Sequence, residues 1–416
     1  MPPNVSKILI RWGLGEELAE RALKLETMHF NKWETGEFLG IHVWSEEMLT
    51  AAGGDFMYIR HSDLREILYN TAKSLGAQIR TGAQVVSIDP YARSVTLQGG
   101  EVLKADVVVG ADGPYGVTRK TLMEEDHPQS PMGFMMYETV IPAEEMKKCP
   151  ELKGVTLGDD EPNRLQLWWG VGSCIFFFPL NHKKAYAIHY IKDDDGQEGD
   201  WEDGPSVDLA KVVGSTCEPR IRKLAQLSRP ATRVRPTDYN KLETWVHNSQ
   251  HVVVIGEAAH PFPPGSLQGT AMSIEDAAVL GKLFSHLRNT DQIPSLLNAF
   301  EDIRQTRCLA TLSEELGLFT FLTYKDDTMQ DLRDSAFREK YARGSTDTIA
   351  GEDEAARQWE EMRRVYAYDC EDEADEWWVK WGVLRERAMG REGNVLNGGI
   401  RRGFAMEAEV SIHHIA

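Results

Sequence analysis

The stretch His251–Phe284, HVVVIGEAAHPFPPGSLQGTAMSIEDAAVLGKLF, leaves few folds open. It begins with the apolar run Val252–Ile255, which has the length of a strand buried in a parallel sheet. Gly256 and Glu257 end the run, and a loop containing Pro261, Pro263, Pro264 and Gly265 follows. From Gln268 onward small residues take over, with Ile274, Ala277, Ala278 and Gly281 at helical spacing on one face. The order is strand, rigid loop, helix. Open α/β sheets bind ligands beyond the C-terminal ends of their strands, and Glu257 stands at such an end. The helix is expected to open with exposed N–H groups at Gln268, Gly269 and Thr270. Such an end carries roughly half a positive charge, suited to an anionic ligand edge.

A second stretch repeats the first half of this pattern. Ala105–Gly113, ADVVVGADG, reads as another buried strand ending on Asp112 and Gly113, with Arg119 behind it. Upstream, Arg60 precedes an expected helix capped by Ser62 or Asp63, with Leu64, Ile67, Leu68 and Ala72 on one face. Between Met132 and about Arg235 the character changes. Phe134–Tyr137, Leu165–Trp169, Cys174–Phe178 and Ala185–Tyr190 read as strands of an aromatic-rich antiparallel sheet divided by polar turns. No proline follows Pro294, and Leu296–Leu309 and Leu316–Leu322 read as two helices. The acidic tract Tyr368–Trp378 reads as a solvated helix face rather than a metal site, and the tail from Gly390 as loosely held.

The string G-E-A-A-H-P-x-x-P-x-x-x-Q-G followed by I-E-D-A resembles the second flavin-binding motif of the single-component FAD-dependent aromatic hydroxylases, the salicylate hydroxylase-like monooxygenases. The family's Asp is Glu257 here, one methylene longer, and its common Asn is Ala271. The string A-D-x-V-V-G-A-D-G with Arg119 resembles the family's Asp-Gly motif, with Gly116 in place of Ser. Arg60 resembles the family's R-x-D-L arginine, displaced by one residue. The resemblance implies that Arg60, Asp112, Gly113, Glu257, Pro264, Gln268, Gly269 and Thr270 contact FAD. It also implies reduction by NADH or NADPH, then transfer of one oxygen from O2 through a C4a-hydroperoxyflavin to a small aromatic or polyketide-like substrate. No side chain is assigned a catalytic role. His260 is a candidate acid/base that the resemblance treats as structural.

Three departures narrow these expectations. Pro3-Asn4 through Leu14 resembles a family segment that normally follows a βαβ unit with G-x-G-x-x-G, and no such unit precedes it here; Gly13-Leu14-Gly15 reads as a turn ending a helix. The expected fold is therefore α/β: an incomplete Rossmann-like FAD-binding domain (residues 1–131 and 236–330), an inserted antiparallel substrate sheet (132–235), and C-terminal helices (331–416). The family's Tyr-Arg is Tyr137-Glu138, and its Tyr before the central Pro is Phe178, so a carboxylated substrate such as salicylate is disfavoured. Rival readings are a flavin epoxidase or oxidative decarboxylase on the same scaffold, or a remnant that does not hold FAD.

Composition sets outer limits. A chain of 416 residues exceeds what one core usually serves. A net charge of −19 argues against nucleic acid as a partner. No apolar run reaches membrane-spanning length, and the N-terminus lacks the pattern of a signal peptide. The five cysteines are scattered and never in C-x-x-C spacing, which suits a reducing, cytoplasmic setting and gives no metal frame. The oligomeric state is not legible in the sequence.

Overall fold

A computed structural model describes residues 1–123, 129–239, 241–346, 348, 360, 363–382 and 384. Two layers organise them. The first is a parallel pair, Val108–Gly110 beside Val252–Val254, in register from Val252 opposite Val108 to Val254 opposite Gly110. The helix Gly269–Phe284 packs on this pair together with the N-terminal helix Pro3–Arg11 and the long helix Ile293–Leu322. The apolar stripe of Pro3–Arg11, formed by Val5, Ile8 and Leu9, is what it buries there. This helix ends at Trp12, and Gly13 takes the left-handed φ of +87° expected of a terminating turn.

The second layer is a seven-stranded sheet. Its strands run in the order Thr232–Val234, Phe134–Pro142, Ala185–Asp193, Ser173–Leu180, Arg164–Gly170, Thr27–Lys32, Phe38–Val43. Every pairing is antiparallel except that of Arg164–Gly170 with Thr27–Lys32. One face buries Tyr137, Trp168, Phe177 and Tyr190 under short helices from residues 143–227. The other carries Phe30, Trp169, Phe176 and Phe178, and turns toward the long helix, Phe337 and the proline loop. The α/β architecture with an aromatic antiparallel sheet and C-terminal helices is thus present.

Several local expectations need correction. The sheet recruits Thr27–Lys32 and Phe38–Val43 from outside the 132–235 stretch. Residues 293–322 form one helix rather than two. Val108–Gly110 is not a buried strand: Val109 is 43% exposed, and among the described residues the strand pairs along one edge only. The helix His61–Ser74 has Arg60 as its N-cap, not Ser62 or Asp63, with no side-chain cap. In Gly269–Phe284 the expected Ile274 and Ala278 are buried, together with Ala271, Met272, Glu275, Asp276 and Val279, while Ala277 and Gly281 face outward. The acidic helix Cys370–Trp377 is solvated on one side, but Cys370 and Ala374 are buried. The tail from Gly390 lies outside the described residues. No helix among the described residues is long and apolar enough to cross a membrane.

Candidate FAD site

Parallel pairing brings two acidic turns side by side. Val254 sits opposite Gly110, and the Ile255 N–H donates to the Gly110 carbonyl at 2.9 Å, so Asp112-Gly113 and Glu257 leave the sheet at neighbouring strand ends. Arg119, 2% exposed, ties the turns together by donating to the Ala258 and Ala259 carbonyls at 2.8 and 3.2 Å. Glu257 is exposed on the turn after its strand. Gly113 has a φ of +78° and no atom within 4 Å of where a Cβ would stand, so its face is open and a side chain there would be strained.

Asp112 also has a structural task. Its carboxylate accepts from the Thr118 N–H at 2.9 Å and from the Thr118 hydroxyl at 3.0 Å. The helix Val117–Leu122 has Gly116 at its N-cap with no side-chain cap, so Asp112 supplies the capping oxygen that a Ser at 116 would offer. A Cβ at Gly116 would fall 2.2 Å from the Asp112 carboxyl carbon, so the glycine at 116 and the cap from Asp112 are one local solution.

From Glu257 the chain passes through the proline loop to the helix start. Pro264 is half-buried in the loop, and Gly265 reaches the sheet, where a Cβ would meet the Met136 sulfur at 3.0 Å. Gln268 is the N-cap of Gly269–Phe284 and is 1% exposed, its N–H taken up by Glu315 rather than open as expected; the first turn carries no acidic side chain. The N–H groups of Gly269 and Thr270 have no partner within the helix. One group already sits at this end: Glu315, from the long helix, accepts from the Leu267 N–H at 2.9 Å. Burial pushes its carboxyl up to about 7, against the Leu267 and Gln268 N–H donors that favour the charged form.

Behind the loop lies a charged core. Arg304, fully buried, donates to Glu275 at 2.6 Å and to Asp276 at 2.8 Å. Asp276 also accepts from His260 at 2.5 Å and from the Gly256 N–H at 2.8 Å. Asn4 donates to Glu275 at 2.7 Å and to the Gln268 side chain at 3.1 Å, and Arg307 adds a second cation to Glu275. Burial works against the ionised carboxyls. The His260 and Arg304 charges outweigh it at Asp276, and Arg304 and Arg307 do so at Glu275, holding both below the usual range. Burial likewise disfavours a charged His260, but Asp276 prevails and raises its pKa. His260, Asp276 and Cys308 have metal-ligand side chains close together, yet the Arg304 guanidinium lies among them, 3.3 Å from the Cys308 sulfur. His260 is therefore a structural member of an ion network fixing strand end, loop and helix.

Of the eight residues expected at the cofactor, Asp112, Gly113, Glu257, Pro264, Gln268, Gly269 and Thr270 lie on the two strand ends or the loop and helix start that follow them. Arg60 differs: its side chain is 53% exposed and engages Asp63 in two hydrogen bonds of 2.7 and 2.8 Å. Glu315, Asn4 and Arg304 escaped the sequence reading. The available signal was the pair of acids in I-E-D-A, placed where the helix needs apolar residues.

Open Gly113, solvent-facing Glu257 and a helix start free of its own acids form a donor set that fits FAD: a carboxylate for a sugar hydroxyl, N–H groups for an anionic ring edge. Fold and site define a flavoprotein. A family model described as an FAD binding domain matches residues 6–314; the chain belongs to this family and is an FAD-dependent monooxygenase. Among relatives, the FAD-dependent monooxygenase OpS4 of Beauveria bassiana (strain ARSEF 2860) is 26% identical over 382 residues, covering 90% of this chain and 86% of OpS4. Among solved structures, CtdE in complex with FAD and a substrate shares the fold with a TM-score of 0.73 at 18% identity, covering 93% of this chain and 89% of CtdE. A salicylate hydroxylase substrate complex has a TM-score of 0.68 at 19% identity, covering 90% of this chain and 89% of its own.

Proposed function

We propose that this chain hydroxylates a small phenolic or polyketide-like aromatic, using NADH or NADPH and O2. The observation that carries this reading is the placement of two acidic strand ends, and of a helix start whose Gly269 and Thr270 N–H groups have no partner within the helix, beside an aromatic sheet face. Bound FAD supplies the chemistry, accepting reducing equivalents and activating O2. The protein's share is placement and electrostatics. Glu257 and the Asp112-Gly113 turn would hold the cofactor, and the Gly269 and Thr270 N–H groups would stabilise negative charge on its ring. Phe176, Phe178 and Met136 would line the substrate side and exclude water. All five cysteines are free, which suits the cytoplasm.

The test is aerobic incubation with FAD, NADPH or NADH, and a panel of phenols, following pyridine nucleotide oxidation and product mass. The expected result is oxidation stimulated by a phenol with a product heavier by one oxygen atom. Oxidation that no phenol stimulates, with peroxide as the only product, would contradict aromatic hydroxylation. A second reading, a chain that does not retain FAD, is favoured by one observation: the parallel sheet has two strands among the described residues and leaves Val109 exposed.

A further inference from the structure

The sheet face turned toward the proline loop is aromatic and thioether in character, and an ionisable pair, Glu138 and His189, interrupts it near the loop. Glu138 and His189 stand directly opposite each other on paired strands, with the His189 Nε2 3.5 Å from the Glu138 Oε1. Met136, two residues earlier on the same face, is the residue that Gly265 of the loop approaches. The pair is thus one step along the strand from the point where the loop meets the sheet. Phe178 presents its edge to the His189 ring at 5.2 Å, and Tyr58 stacks on Phe178 at 4.3 Å. The Glu138 and His189 side chains remain 39% and 25% exposed, so a ligand can reach them. His61, at the start of the helix that follows Arg60, also lies close enough to act on the Glu138 charge. The hydrogen bond from His189 is foremost in holding the Glu138 carboxyl below its ordinary range, against the effect of burial.

An aromatic wall takes a flat ring by stacking and edge contacts. A carboxylate set into that wall accepts a charge-assisted hydrogen bond from a neutral hydroxyl. It repels a second carboxylate, and the repulsion strengthens where water is excluded. We propose that Glu138, oriented by His189, is the specificity-determining residue of the substrate site, selecting neutral hydroxylated aromatics over carboxylated ones. This rests on the hydroxylase reading above, because it takes the loop-facing side of the sheet as the substrate wall.

The test is equilibrium binding of a naphthol and of the naphthoate of the same ring position to the FAD-loaded protein. It is read by tryptophan fluorescence at about pH 8, where the naphthol stays protonated. The native protein is expected to prefer the naphthol by about tenfold or more. Glu138→Gln should bring the ratio to about one, and Glu138→Asp, which keeps the charge, should retain the preference. A structural role would move both variants alike. Equal affinity of the native protein for the two ligands overturns the proposal, as does a preference that survives in Glu138→Gln or is lost equally in Glu138→Asp. The hydroxylase reading fails separately: a selectivity switch without phenol-stimulated hydroxylation removes the reaction and leaves the site.

Discussion

Arg304→Met is expected to cost about 3 kcal/mol or more of folding stability, the largest effect of any single substitution considered. The guanidinium is fully buried and bridges Glu275 and Asp276, which are themselves fully buried. Replacing it with an apolar chain of similar length keeps much of the volume and strands two carboxylates. Arg307 and His260 still face one each, so the loss belongs at the lower end of the range for broken buried pairs. The sign with pH is fixed. Both carboxyls have folded pKa values depressed below their ordinary values of 4.5 and 3.8. The stability they contribute is present above those unfolded values and is lost as pH falls through the folded ones. The gap between native protein and variant should therefore be full near neutrality and narrow in acid. Urea unfolding at several pH values checks this, and a gap that widens in acid would contradict the ionised network.

The second large effect is on cofactor binding. Glu257→Ala should weaken FAD binding by about tenfold or more, the scale of a lost hydrogen bond to a charged group. Glu257 is exposed on its turn, so stability should change by no more than about 0.5 kcal/mol. Glu257→Asp restores the family's residue and should retain binding. Fluorescence titration of FAD into the three proteins separates these cases; an unchanged dissociation constant in Glu257→Ala removes that residue from the site.

The strand–loop–helix of residues 251–284 was legible because its signals are local: a short apolar run, a glycine stop, prolines, then small residues. The antiparallel strands between 134 and 193 were legible for the same reason. What the sequence hid was long-range. Thr27–Lys32, TMHFNK, is mostly polar, and it becomes a strand by pairing with Arg164–Gly170 across more than a hundred residues. The stretch between Leu309 and Leu316 reads in the sequence as a break between two helices. The long helix continues because Glu315 turns inward and finds the Leu267 N–H. Glu275 and Asp276 read as part of a flavin motif, but their cation, Arg304, lies one helix later and only the tertiary fold brings it near. Arg60 carries the complementary lesson. A motif position one residue out of register became the N-cap of its helix, and its side chain found Asp63, three residues on, rather than the strand-end site it was expected to join by resemblance.

The visible absorbance spectrum of purified residues 1–416, with and without added FAD, tests the central claim most directly. Flavin bands are expected to co-purify with the protein, or to remain after FAD addition and gel filtration. A folded but colourless protein that leaves added FAD entirely in the small-molecule fractions would contradict that claim.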